Sequence, residues 1–333
     1  MTEDGLGRPL QDLRISVTDR CNFRCDYCMP IENYGHDHNF LPKSEILSFE
    51  EITIIVESML KLGLKKVRIT GGEPLLRKDI CSLISMIRNL DSELDIAMTT
   101  NGTLLGKYAN NLSQAGLNRV TVSLDAIEAD LFRKLSSTDI TPEHILSGIS
   151  AAINAGLPVK VNTVIIKNYN EDQIIPLVRT FHSMNIPIRF IEYMDVGGTK
   201  NWNYDQVVTG QEIRDVIIEH FGHVSANKSG YYGEVSNYWR LKDGYAIGFI
   251  ESVSSPFCSS CTRARISANG NMYTCLFASK GNDLKSLFDL SADKEDIGLA
   301  VKAIWEKRTD RYSEIRGKLT NNPMPVEMHF IGG

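Results

Sequence analysis

Six short segments of the chain alternate apolar and polar residues: Leu13–Thr18, Lys66–Thr70, Leu94–Thr99, Arg119–Leu124, Val159–Ile166 and Ile188–Tyr193. A period of two predicts strands. Between them the period changes. Phe49–Leu62 places Ile52, Ile55, Val56 and Met59 on one helical face, and Asp79–Leu90 and Glu143–Ala155 read the same way. Gly63, Gly116 and Gly156 follow helical stretches as stop signals. A β-α unit repeated six times predicts a parallel sheet. Eight units would close a barrel, so the expectation is an α/β fold with an incomplete (β/α)6 TIM-like barrel. After Tyr193 the pattern shifts. Glu212–Phe221 reads as a helix. Tyr231–Val253 reads as a hairpin turning at Lys242-Asp243-Gly244, and Arg265–Leu276 as a second hairpin around Asn269-Gly270-Asn271. A boundary near residue 225 follows, with a partial barrel over 1–225 and a C-terminal β-rich region over 226–333.

One strand phase is repeatedly polar. Arg14, Ser16 and Thr18 alternate with Leu13, Ile15 and Val17; Arg68 and Thr70 alternate with Val67 and Ile69. Thr121, Ser123 and Asp125 share a phase on the fourth strand, Lys160 and Asn162 on the fifth, and Arg189 stands between Ile188 and Phe190. Closed barrels fill their interior with branched apolar side chains. Here Arg14, Arg68, Lys160 and Arg189 point at a common face instead. Unpaired buried cations are costly, so their convergence implies a bound polyanion or wide water access. The bland alternative is that each cation sits at a strand end and reaches solvent.

Charge alters the picture little. The 333 residues hold 36 basic and 41 acidic side chains, a net charge of −5. That balance argues against a basic nucleic-acid surface, yet a local cation cluster for a small anion fits inside it. No run of 18 apolar residues predicts a membrane span. Met1-Thr2-Glu3-Asp4-Gly5 reads as no signal peptide, and a cytoplasmic location is expected. The seven cysteines are clustered rather than spread as a disulfide framework would be: Cys21, Cys25 and Cys28; Cys258, Cys261 and Cys275; and Cys81 alone. Clustered thiols in a chain this long point to metal ligation in a reducing compartment.

Cys21-Asn22-Phe23-Arg24-Cys25-Asp26-Tyr27-Cys28 follows the first strand, where α/β active sites are built. A [4Fe–4S] cluster usually takes four cysteines; three leave one iron open to chelate an amino acid moiety. Cys-x3-Cys-x2-Cys with an aromatic before the last cysteine, together with Gly71-Gly72-Glu73-Pro74 ending the second strand, resembles the radical S-adenosylmethionine (SAM) superfamily. The resemblance implies the same open barrel. It also implies an electron passed from the reduced cluster to SAM, and hydrogen abstraction by a 5′-deoxyadenosyl radical.

Cys258, Cys261 and Cys275 again supply three ligands. Read alone, they fit a zinc ribbon short of one partner, with His223 and His329 as open choices that no pattern places. Arg263 and Arg265 beside them suit an anionic ligand. From Arg14 to Gly332-Gly333 the chain is similar to the GTP 3′,8-cyclases of molybdenum cofactor biosynthesis. The landmarks include Thr99-Thr100-Asn101-Gly102, Ser123-Leu124-Asp125, Cys258-x2-Cys261-Thr262-Arg263-x-Arg265, Cys275 and the terminal glycines. That resemblance implies two [4Fe–4S] clusters on the two thiol sets, and SAM held at Tyr27, Gly72, Ser123 and Met194. GTP would be held at Arg14, Arg68, Thr99, Lys160, Arg189, Arg263, Ala264 and Arg265, and the Gly332-Gly333 tail would act in catalysis. It further implies a lyase, an external electron donor, a homodimer, and a downstream cyclic pyranopterin monophosphate synthase receiving the product, with no nucleic acid or membrane partner. The rival readings are a radical SAM enzyme acting on peptide or RNA and an iron–sulfur electron carrier. Cys81 reads as a core residue, His36 and His38 as loop residues, Trp202 after Gly197-Gly198 as part of a rim loop, and Ile297–Lys307 as a packing or interface helix.

Overall fold

The computed structural model describes residues 1–35, 37–196, 202–227, 230–316 and 324–332. His36, Gly197, Gly198 and Gly333 lie outside the described residues. Six strands run parallel: β1 (Asp12–Ser16), β2 (Lys66–Thr70), β3 (Asp95–Thr100), β4 (Arg119–Ser123), β5 (Val159–Ile165) and β6 (Ile188–Glu192). They match the alternating segments to within a residue or so at each end. Helices α1 (Phe49–Leu60), α2 (Ile80–Leu90), α3 (Leu105–Gln114), α4 (Ala129–Ser136), α5 (Pro142–Asn154) and α6 (Ile174–Ser183) fall between them. Ser48 and Glu51 close a capping box that starts α1, and the buried face of that helix includes Ile52, Ile55, Val56 and Met59.

The C-terminal strands do not form a separate sheet. β7 (Ser225–Asn227), β8 (Asn237–Arg240) and β9 (Ala246–Ile250) form an antiparallel set that follows α7 (Gly210–Phe221); β9 then lies parallel beside β6. β10 (Arg263–Ile266), β11 (Asn271–Tyr273) and β12 (Asn282–Asp283) form a second set, with β10 parallel beside β1. The result is one sheet ordered β12-β11-β10-β1-β2-β3-β4-β5-β6-β9-β8-β7. Both predicted hairpins exist, but each hands one strand to an edge of the barrel. The physical reason is visible in β9, Ala-Ile-Gly-Phe-Ile, which is buried along almost its whole length. A strand apolar on both faces belongs inside a parallel sheet.

Chain closure comes from α9 (Lys294–Glu306), reached through the short α8 (Lys285–Asp289). It packs Ile297, Val301 and Trp305 into the core alongside α1. The helix expected over Ile297–Lys307 is therefore a packing helix. After α10 (Tyr312–Ile315) the chain ends in α11 (Met328–Ile331), seated on β1. Cys81 lies half-buried on α2 against the core, as read from the sequence.

Candidate active site in the barrel lumen

The polar strand phase encloses a cavity of about 760 Å³. Arg14, Arg68, Lys160 and Arg189 all line it, joined by Arg263 and Arg265 from β10. Strand alternation explains the set: each stands two residues from another lumen-facing residue on its own strand. Arg68 donates to the hydroxyls of Thr99 (3.0 Å) and Thr121 (3.2 Å), and Arg189 shares Thr121 (3.2 Å). Lys160 reaches the Tyr238 hydroxyl at 3.1 Å, and Arg263 the Gly233 carbonyl at 2.9 Å. Burial, then mutual repulsion with Arg14 and its neighbours, pulls Arg68 and Arg265 down to about 9. Burial also lowers Arg14 to about 10, with Asp12 opposing and Arg263 and Arg189 adding to the shift. A polyanion placed here would relieve that repulsion.

Ala264 differs from its neighbours in where its side chain goes. Its position between the two arginines on β10 turns its side chain to the opposite face, where it is fully buried in the apolar core. Only Arg263 and Arg265 of that run line the cavity.

Cys21, Cys25 and Cys28 lie on the loop beyond the C-terminal end of β1 and line the cavity there. Burial pushes all three thiols up, Cys21 to about 11 and Cys28 to about 12. Cys25 rises further under the charges of Cys28 and Cys21. Acidic groups crowd this end. Glu73 raises Cys21, Asp125 raises Cys25 and Cys28, and Glu327 raises Cys28. Tyr27 donates to Asp125 at 2.6 Å, and burial lifts Asp125 to about 6. Glu73, fully buried and raised by burial to about 7, accepts from Thr100 and from the Asn101 and Leu75 amides. Gly72 needs its missing side chain, because a Cβ there would meet the Arg20 carbonyl oxygen at 2.2 Å. Ser123 and Met194 line the same cavity.

The second thiol set enters from the other direction. β10 runs parallel to β1 with Arg263 opposite Asp12, and Cys261 stands before the N-terminal end of β10. β11 returns antiparallel with Tyr273 opposite Arg265, which carries Cys275 back to that same end. The two thiol sets therefore flank β1 from opposite ends. They are separated by a five-residue strand, on the order of 15 Å along its axis. Cys258, Cys261 and Cys275 all line the cavity. Burial alone would raise Cys261, but Arg263 and Arg308 hold it down to about 7; Cys275 is raised by burial to about 11, with Asp310 and Cys261 adding and Arg265 opposing. Neither histidine weighed as a fourth ligand stands with this set. His223 is exposed, and the backbone amide of His329 bonds the Cys28 thiol at the first set, with its ring packed edge-on to Tyr34 at 4.9 Å. His38 packs between Tyr34 and Phe40, and Trp202 donates to the Tyr193 carbonyl at 3.0 Å, as a rim residue would.

Among the described residues, no three His, Cys, Asp or Glu side chains have the geometry of a single-ion site. Ligands of a four-iron cluster each bind a different iron, so they stand farther apart than the ligands of one zinc ion. With three thiols per set and mutual charge raising Cys25 and Cys28, both donor sets fit clusters.

The C-terminal tail touches this wall. Arg265 donates to the Gly332 carbonyl, and Gly332 has φ +74° with its absent Cβ only 2.4 Å from the Thr70 methyl. Sequence reasoning passed over several wall residues. Lys66 and Asp12 precede Arg68 and Arg14 by two and share their phase; they pair at 2.8 Å. Arg119 and Tyr231 also line the cavity. Lys66 and Arg119 already open their predicted strands in the lumen phase, and one further residue at the start of the first strand would have reached Asp12.

Comparisons with known proteins agree with this arrangement. The Radical SAM superfamily profile matches residues 15–181, and that of Molybdenum Cofactor Synthesis C matches residues 186–314. The chain is 50% identical to the GTP 3′,8-cyclase of Staphylococcus epidermidis and 47% identical to that of Staphylococcus aureus, each over 99% of this chain and 98% of the relative. Among solved structures, Streptococcus suis SuiB bound to S-adenosylmethionine superposes with a TM-score of 0.60 at 17% identity, over 97% of this chain and 77% of that one. Methylornithine synthase gives a TM-score of 0.51 at 17% identity, over 65% and 63% of the two chains. Those two structures speak to the fold.

Proposed function

The chain belongs to the GTP 3′,8-cyclase family of the radical SAM superfamily, and from that membership we propose how one lumen serves both SAM and GTP. The reaction is conversion of GTP to (8S)-3′,8-cyclo-7,8-dihydroguanosine 5′-triphosphate, the first step of molybdenum cofactor biosynthesis. SAM and an iron–sulfur cluster are its cofactors. Cys21, Cys25 and Cys28 would hold the cluster, which when bound would supply one-electron reductive cleavage of SAM and, through it, removal of the ribose 3′ hydrogen.

The protein's part is placement. Tyr27, Gly72, Ser123 and Met194 hold SAM at the acidic end, where the missing Gly72 side chain lets its strand end pack against the Arg20 backbone beside the thiol loop. Arg14, Arg68, Lys160, Arg189, Arg263 and Arg265 hold the triphosphate by charge-assisted hydrogen bonds, with Thr99 orienting Arg68. Cys258, Cys261 and Cys275 would hold a second [4Fe–4S] cluster, which would supply an anchoring point for the purine. Pinning a nucleotide at base and phosphates leaves its ribose facing the cofactor, and reacting atoms must come within roughly 3–3.5 Å. Gly332, bonded to Arg265, completes the substrate side, and a catalytic role for Gly333 belongs to the same proposal. An external one-electron donor, a homodimer and a downstream cyclic pyranopterin monophosphate synthase complete the proposal. No described helix is long and apolar enough to cross a membrane.

The observation that carries this reading is the belt of six cations between two three-thiol sets at opposite ends of β1. GTP deuterated at the ribose 3′ position tests it. Deuterium should appear in 5′-deoxyadenosine alongside a cyclised triphosphate of unchanged elemental composition. SAM cleavage without deuterium transfer in the presence of GTP would overturn it.

A further inference from the structure

Behind the second thiol set lies a buried ion network that the reaction as described does not use. Asp4, Arg8 and Arg308 come from the two ends of the chain, and their side chains are 0%, 1% and 2% exposed. One Asp4 oxygen accepts the amides of Leu6 and Arg8, both at 2.9 Å. The other accepts Arg8 Nε at 2.7 Å and Arg308 Nη1 at 3.1 Å. Each arginine then reaches outward to the thiol loop. Arg8 Nη1 donates to the carbonyls of Cys258 and Asp310, both at 2.8 Å. Arg308 Nη1 donates to the Cys261 carbonyl at 2.8 Å. Asp310 in turn accepts from Thr274, the neighbour of Cys275, at 2.6 Å. Trp305 anchors the assembly from α9 by donating to the Arg8 carbonyl at 3.1 Å.

Every thiol-bearing segment of the second set thus ends on one small network. The first set's loop is held by different groups: Arg24 reaches the carbonyls of Cys21 and Tyr34, Asn22 bonds Thr103 and Asn101, Tyr27 bonds Asp125 and Tyr169 bonds Asp26. Groups that hold ligands without binding the metal still matter, and their loss typically costs ten- to a hundred-fold in metal affinity or activity.

We propose that Asp4, Arg8 and Arg308 are positioning residues for the second cluster, fixing the spacing of Cys258, Cys261 and Cys275 independently of the first set. The proposal rests on the second-cluster reading given above. It makes the first eight residues part of the active-site architecture, although none of them is a ligand. A lysine at position 8 or 308 keeps the charge opposite Asp4 but lacks the guanidinium fork that reaches a carbonyl at the same time.

The test uses full-length Arg8→Lys, Arg308→Lys and Asp4→Asn variants, reconstituted with iron and sulfide without oxygen. The readouts are iron loss to a chelator, uncoupled SAM cleavage, and alkylation rates of each cysteine in the iron-free protein. Wild type should hold about eight irons per chain. The lysine variants should lose about half of their iron ten- to a hundred-fold faster, while uncoupled SAM cleavage stays at the wild-type rate. In the iron-free proteins, alkylation of Cys258, Cys261 and Cys275 should change while that of Cys21, Cys25 and Cys28 does not. Iron loss and alkylation equal to wild type would overturn the positioning role. So would equal acceleration at both thiol sets, which marks general loosening. A wild-type protein holding only about four irons would instead remove the second-cluster reading, and the alkylation pattern would then decide the frame by itself.

Discussion

The two thiol sets have the same number of donors and opposite surroundings. Cys21, Cys25 and Cys28 sit beyond the C-terminal end of β1, where burial first, and then neighbouring thiols and the charges of Glu73, Asp125 and Glu327, push the thiols upward. Cys261 sits at the other end of the lumen beside Arg263 and Arg308, which hold it down to about 7. SAM carries a sulfonium and an ammonium; GTP carries a triphosphate. On the proposed assignment, an acidic end and a cationic end would sort those ligands before any shape is considered, because like-charge placement in a low-dielectric lumen is costly. Two donor sets of the same size would then serve one cofactor and one substrate without exchanging them.

The largest effects should come from the thiols. Cys25→Ala should abolish both SAM cleavage and cyclisation. Cys261→Ala should leave uncoupled SAM cleavage and stop cyclised product, as read by mass spectrometry of both products in one reaction. Normal cyclisation by the Cys261 variant would break the comparison at its substrate end. Next come the cations. Arg68→Ala and Lys160→Ala should each weaken GTP binding by about 1.5–3 kcal/mol, measured by calorimetry, with SAM affinity unmoved. Equal weakening of both ligands would indicate a damaged fold rather than a sorted lumen.

A smaller effect tests the same field through pH. Burial, opposed by Asp12 and aided by Arg68, lowers Lys66 to about 8 in the free protein. Below that pH the ammonium is present and favours the triphosphate. As pH rises through about 8 the charge is lost, so GTP binding should weaken by up to about tenfold per pH unit. Binding should be coupled to proton uptake, because the triphosphate raises the lysine again. Lys66→Met should flatten this dependence; an unchanged slope would assign it to another group. Smallest is Tyr27→Phe, which removes one hydrogen bond to Asp125. It should cost about 1 kcal/mol in SAM binding and nothing in GTP binding.

Much of this was legible before the structure, for definable reasons. Period-two alternation located all six barrel strands and the lumen phase, because a strand exposes every second residue to one side. It therefore placed Arg14, Arg68, Lys160 and Arg189 together. Sheet order was not legible: the edge positions of β9 and β10 depend on pairings across long sequence separations, such as Asp12 with Arg263. The opposite placement of the thiol sets follows from that pairing and from nothing local. The side-chain direction of Ala264 was not legible from the motif, because a motif names a run whereas a strand turns its middle residue away. Arg8 and Arg308 were invisible for a related reason. Their partners are backbone carbonyls some 250 and 47 positions away, and no local pattern carries such a contact.

The sorted lumen is tested most directly by equilibrium binding of GTP and SAM to two variants, each lacking one complete thiol set. Replacing Cys258, Cys261 and Cys275 with alanine should weaken GTP and spare SAM. Replacing Cys21, Cys25 and Cys28 should weaken SAM and spare GTP. Loss of both ligands in either variant, or the reverse pairing, would contradict the assignment of one end of the cavity to each.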